Sequence, residues 1–164
     1  MATFNNITFK KEDDYMTPKH VWEDIIDYIP KDKIIYEAFY GDGKSGEYLK
    51  ELGCKNIIHE EIDFYEHCDK LEYDLIVSNP PYSDCKKILS KLKEIDKPFI
   101  LIMPSSKINT QYFRNCFKNT EMQIIIPKKR ISFIKDNKQT KSSNFDCFYY
   151  CYKMNLKKDI IWLD

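Results

Sequence analysis

Short apolar runs alternate with stretches of helical spacing along most of this chain. Lys33-Ile34-Ile35-Tyr36-Glu37 has strand length and is followed by the turn Gly41-Asp42-Gly43. Lys44 to Leu52 predicts a helix, closed by Gly53. Asn56 to His59 reads as a second strand and Tyr73 to Ser78 as a third. Asp84 to Ile95 places Ile88, Leu89, Leu92 and Ile95 on one helical face. Pro98 to Met103 is apolar throughout, as expected of a parallel strand covered on both sides. Ile108 to Phe117 predicts a helix and Met122 to Ile126 a strand. Arg130 to Ile134 and Phe145 to Met154 read as strands flanking a polar, basic loop.

Strands alternating with helices predict an α/β fold with an open, mostly parallel sheet. The hairpin-like pair at the end predicts an antiparallel edge. No internal repeat, low-complexity segment or linker divides the 164 residues, so one domain is expected.

Composition narrows the class. Apolar content of 43% and aromatic content of 15% belong to a globular chain. No run of 18 apolar residues marks a membrane span, and Met1 to Glu12 carries no signal-peptide core. The six cysteines are scattered, which reads as reduced thiols in an intracellular protein. Zinc needs four closely spaced ligands, and only His67-Cys68 and Cys147/Cys151 come near that, so no metal is expected. Net charge is zero, yet residues 1–82 hold eighteen acids against nine lysines. Residues 83–164 hold eight acids against seventeen bases. Halves of −9 and +9 suit a C-terminal half that meets phosphates.

Asn79-Pro80-Pro81-Tyr82 ends the third strand. Two prolines cannot extend a ladder, so the chain leaves the sheet there as a stiff loop. The loop offers a carboxamide, bare carbonyls and an aromatic face. The Asn79 oxygen and the Pro80 carbonyl can accept both hydrogens of an exocyclic amine and turn its lone pair toward a methyl donor. Tyr82 can stack on the base, worth about 1–3 kcal/mol in single-strand systems. Methylation at C5 of cytosine would need a Pro-Cys nucleophile loop, and no cysteine here follows a proline.

Ala38 to Ser45 also satisfies a loose phosphate-loop pattern, which keeps a nucleoside triphosphatase open. Against it stand Glu37 beside the phosphates, bulky Phe39 and Tyr40 in the loop, and no later strand ending in a magnesium-binding Asp. The other reading is a nucleoside site at the carboxyl ends of strands. There Gly41 and Gly43 admit close backbone approach, and Glu37 accepts from a ligand amine or through water. Glu60 or Glu61 accepts from ribose hydroxyls, and Asp63-Phe64 offers an amine acceptor and a ring plane.

The chain resembles the N6-adenine DNA methyltransferases of the class I S-adenosylmethionine-dependent group, most of all the small adenine methylases of phages and large DNA viruses. Tyr15-Met16-Thr17-Pro18 is similar to the motif that helps hold the methionine end of the donor. Glu37-Ala38-Phe39-Tyr40-Gly41-Asp42-Gly43 resembles the Asp-Pro-Phe-x-Gly-x-Gly donor loop, with Glu for Asp and Ala for Pro. Asn79-Pro80-Pro81-Tyr82 matches the catalytic signature. The resemblance covers roughly residues 15 to 153. It implies a Rossmann-like fold with helices on both faces, S-adenosylmethionine as cofactor and adenine N6 in DNA as target. It assigns Tyr15, Thr17, Glu37, Phe39, Gly41, Gly43, Glu60, Asp63 and Phe64 to the donor, and Asn79 to Tyr82 to catalysis.

Only about a dozen residues separate the second strand from the catalytic strand, where a standard member fits a helix, another strand and a loop. No room is left for a separate target-recognition domain. DNA reading then falls to Ser105 to Thr110 and Lys128 to Ser143, to a second protein, or to a homo-oligomer. Lys128, Lys129 and Arg130, followed by Lys135, Lys138 and Lys141, are the candidates for phosphate contact. The same loop chemistry serves RNA bases and protein glutamine amides, and an inactive nucleic-acid-binding subunit is the remaining alternative. The basic C-terminal half favours nucleic acid.

Overall fold

The computed structural model describes residues 15–135, 138–139 and 146–164. A seven-stranded sheet forms its centre. In chain order the strands are β1 (Ile34–Tyr36), β2 (Asn56–Ile58), β3 (Leu75–Ser78), β4 (Phe99–Pro104), β5 (Met122–Ile126), β8 (Cys147–Tyr152) and β9 (Ile160–Trp162). Their spatial order is β2-β1-β3-β4-β8-β5-β9. β2, β1, β3 and β4 are parallel, and β9 runs parallel to β5. β8 lies between β4 and β5, antiparallel to both. β1 to β5 and β9 therefore all end on the same rim of the sheet.

The helices are α1 (Lys19–Glu23), α2 (Lys44–Glu51), α3 (Phe64–His67), α4 (Cys85–Ile95) and α5 (Gln111–Phe117). Side chains alternate across β8 and so show which helix covers which face. Tyr150 and Tyr152 meet Phe113 and Phe117 of α5, with ring centroids 5.3 Å apart in each case. Tyr149, pointing the other way, donates to the Val21 carbonyl of α1 at 2.7 Å. The sheet is thus covered on both faces. All six residues of β4 are buried, which explains its unbroken apolar run. Ile88, Leu89 and Leu92 of α4 are buried as their spacing predicts. Asp96 stops that helix in the left-handed region at φ 59°, two residues before Pro98.

Three expectations change. The hairpin between 130–134 and the penultimate strand does not form. β8 spends its backbone groups on β4 and β5, while Ile131 and Phe133 turn into the core. Only Ile134–Lys135 is extended (β6), paired with β7 (Lys138–Gln139) and bridged to Met16. The helix expected from Ile108 starts at Gln111, because Thr110 caps it by accepting from the Phe113 amide at 3.3 Å. Between β2 and β3, where little was expected, the single-turn α3 is capped by Asp63, whose carboxylate accepts from the Glu66 amide at 2.9 Å. Lys141 and Phe145 lie outside the described residues.

Candidate active site

The apolar run of β3 ends at Ser78, and Pro80 and Pro81 carry the chain out of the sheet at the rim. Beside it β1 ends at Tyr36 and the glycine turn begins. Gly41 and Gly43 both sit at positive φ, 60° and 83°. A side chain at Gly43 would collide with the Tyr40 ring, and one at Gly41 would press on Met16 Sδ at 3.1 Å. Residues 15–17 are fastened over this turn by the two Met16–Ile134 backbone bonds of 2.7 and 2.8 Å.

These segments enclose one cleft of about 760 Å³, within the ~300–1,000 Å³ usual for small-molecule sites. Tyr15, Thr17, Glu37, Phe39 and Gly41 line one part of it, and Asp63, Phe64, Tyr65 and Glu66 of the α3 region another. Asn79, Pro80, Pro81 and Tyr82 close it. Of the acids at the second strand end, Glu61 faces the cleft, while Glu60 is not part of its wall. Gly43 stands behind the turn as the residue capping α2.

Asn79 Nδ2 donates to Thr17 Oγ1 at 2.9 Å, and Asn79 Oδ1 is a buried acceptor without a hydrogen-bond partner. Tyr82 is buried along the cleft wall, its hydroxyl 3.8 Å from Cys147 Sγ on β8. Burial raises the Tyr82 phenol well above its usual range and pushes the Cys147 thiol up to about 12, so both stay protonated.

Glu37 behaves differently from its expected part as a ligand acceptor. It is 1% exposed. One carboxylate oxygen accepts from the Ser78 hydroxyl and the other lies 2.7 Å from His59 Nε2. Burial raises its pKa, and the His59 and Ser78 donors offset part of that rise. The Ser78 oxygen in turn accepts from the Phe39 amide at 3.2 Å. Glu37 and Ser78 thus tie the glycine turn to the start of the proline loop. His59 is stacked on Tyr40 with centroids 4.6 Å apart, and it fits only because Gly46 of α2 has no side chain. A Cβ there would stand 2.1 Å from His59 Nδ1. Tyr65, also unforeseen, donates to the Asp84 carboxylate and joins α3 to the turn after the proline loop.

The charge of the cleft settles the phosphate-loop alternative. Glu37, Asp42, Glu61, Asp63, Glu66 and Asp84 line it, and among the described residues no Lys or Arg does. Asp42 accepts from the Lys44 amide at 3.1 Å, so a carboxylate occupies the α2 N-terminus where a phosphate would sit. The wall suits a cationic ligand, not a triphosphate.

A family model described as DNA N-6-adenine-methyltransferase (Dam) matches residues 5–162. The chain belongs to this family. Comparison with curated proteins finds no match. As a Dam-family methyltransferase it methylates adenine at N6 in DNA, and the family uses S-adenosylmethionine. The acidic wall fits that donor, whose sulfonium and ammonium groups outweigh its one carboxylate. The chain keeps its candidate phosphate-binding residues elsewhere. Lys128, Lys129 and Arg130 lie outside the cleft, on a groove of about 430 Å³ shared with α1 and the last residues of the chain. Lys128 and Lys129 are exposed, whereas Arg130 pairs with Asp146 at 3.1 Å.

Proposed function

We propose that this single-domain, intracellular enzyme holds S-adenosylmethionine in the acidic cleft and presents the target adenine to Asn79. The observation that carries the reading is the Asn79 carboxamide, whose nitrogen is committed to Thr17 while its oxygen is left without a partner. A buried acceptor of this kind costs about 1–3 kcal/mol until something donates to it. An exocyclic amine donates to it, with the Pro80 carbonyl taking the second hydrogen.

Tyr15, Thr17, Phe39 and Gly41 hold the methionine side of the donor. Glu61 takes the ribose hydroxyls, and Asp63 and Phe64 take the adenine ring. Bound there, S-adenosylmethionine supplies a methyl group on a sulfonium. Asn79 Oδ1 and the Pro80 carbonyl turn the target lone pair toward that methyl and stabilise positive charge as it grows on N6. Pro81 keeps the loop stiff. Tyr82, on the cleft wall, packs against the base and offsets part of the few kcal/mol needed to extract it from a duplex. Lys128 and Lys129 contact the DNA backbone. A second protein or a second copy of the chain contributes to target recognition.

Incubation with labelled donor and duplex DNA, followed by nucleoside analysis, should yield N6-methyladenine. Asn79→Ala should abolish transfer with donor affinity and unfolding midpoint retained. Label in RNA or protein alone, or turnover by Asn79→Ala at the wild-type rate, would overturn the reading.

A further inference from the structure

Trp162 is 72% exposed on β9, the outermost strand, whereas Trp22, the other tryptophan of the chain, is fully buried. Its neighbour Ile161 packs against the core, so the strand itself is anchored. Trp162 stands opposite Ile126 in the register with β5, and Pro127, Lys128 and Lys129 follow Ile126 directly. An open indole and two exposed lysines therefore share one corner of the sheet.

That corner lies on the same rim as Asn79, because β3, β5 and β9 all point the same way. Four strand spacings separate β3 from β9, which is about 19 Å at ~4.8 Å each. A duplex covers that distance in about five or six base pairs.

We infer that Trp162, Lys128 and Lys129 form a docking surface for DNA flanking the target adenine. The lysines meet backbone phosphates, and the indole packs against a base or sugar face. This rests on the DNA reading above. Two exposed lysines beside an open indole favour nucleic acid, whose phosphates and base faces match both kinds of group at once. Asp24 and Asp164 line the same groove as Lys128 and Lys129, so the attraction is local and about two phosphates are expected.

With Trp22 buried, the emission that acrylamide can quench belongs to Trp162. Saturating duplex DNA should protect that emission. Trp162→Ala should weaken binding of a labelled duplex roughly tenfold, with donor affinity unchanged. Lys128→Ala with Lys129→Ala should lower the slope of log affinity against log salt by about 2. A duplex that binds while Trp162 stays fully quenchable, and binds Trp162→Ala equally well, overturns the assignment. So does protection that grows with protein concentration in the absence of DNA, which would assign the corner to a second copy. Failure to bind any duplex overturns the DNA reading as well.

Discussion

Asn79 donates its carboxamide nitrogen to the Thr17 hydroxyl across 62 residues of sequence, which ties the residue ending the third strand to the segment lying over the glycine turn. Thr17→Val should leave the amide able to rotate and lower the single-turnover methyl-transfer rate by up to ~100-fold, while Thr17→Ser keeps the rate. Rapid-quench kinetics with saturating donor and DNA measure both. Equal rates for Thr17→Val and wild type would refute the orienting role.

Gly46 lies inside a helix, where replacement by alanine ordinarily stabilises. Here the sign should reverse. The added methyl would displace His59 from Glu37, so Gly46→Ala should cost about 1–3 kcal/mol and weaken donor binding along with it. Urea unfolding and donor titration read the two effects. A more stable Gly46→Ala variant would show that the His59 contact is dispensable.

Asp96 gives a pH dependence with a defined sign. Hydrogen bonds from Lys153 and Tyr152 hold its carboxyl below the usual value of 3.8. The unfolded chain takes up this proton first as pH falls. The stabilisation is therefore complete above the usual value and disappears as pH drops through the depressed one. Asp96→Asn tolerates the left-handed backbone and lacks the titration. Unfolding midpoints of the two proteins should differ near neutrality and converge in acid. A gap that persists unchanged into strong acid would assign it to another group.

Much of the site was legible because its parts are consecutive in sequence. The β3 run, the double proline after it and the glycine turn after β1 each carry a local signal, and they meet at one cleft. His59 was not legible. Its meaning depends on a carboxylate 22 residues earlier and on a missing side chain at Gly46, brought together only by β1–β2 pairing. Helix α3 is a single turn, too short for periodicity, and its capping Asp63 sits in an acidic stretch that hides the cap. The run 145–154 announced a strand but not its neighbours, because pairing partners are set by topology. β9 has only three residues, too few for an alternating pattern, so the exposure of Trp162 is set by pairing with β5.

Six of the seven strands finish on one rim, and the cleft opens at that rim between the ends of β1 and β3. The opposite rim, where the turns before β1 and β2 expose Lys33 and Lys55, lies away from the cleft. A fluorophore or a surface tether attached there would hold the enzyme with its whole working side turned toward solution.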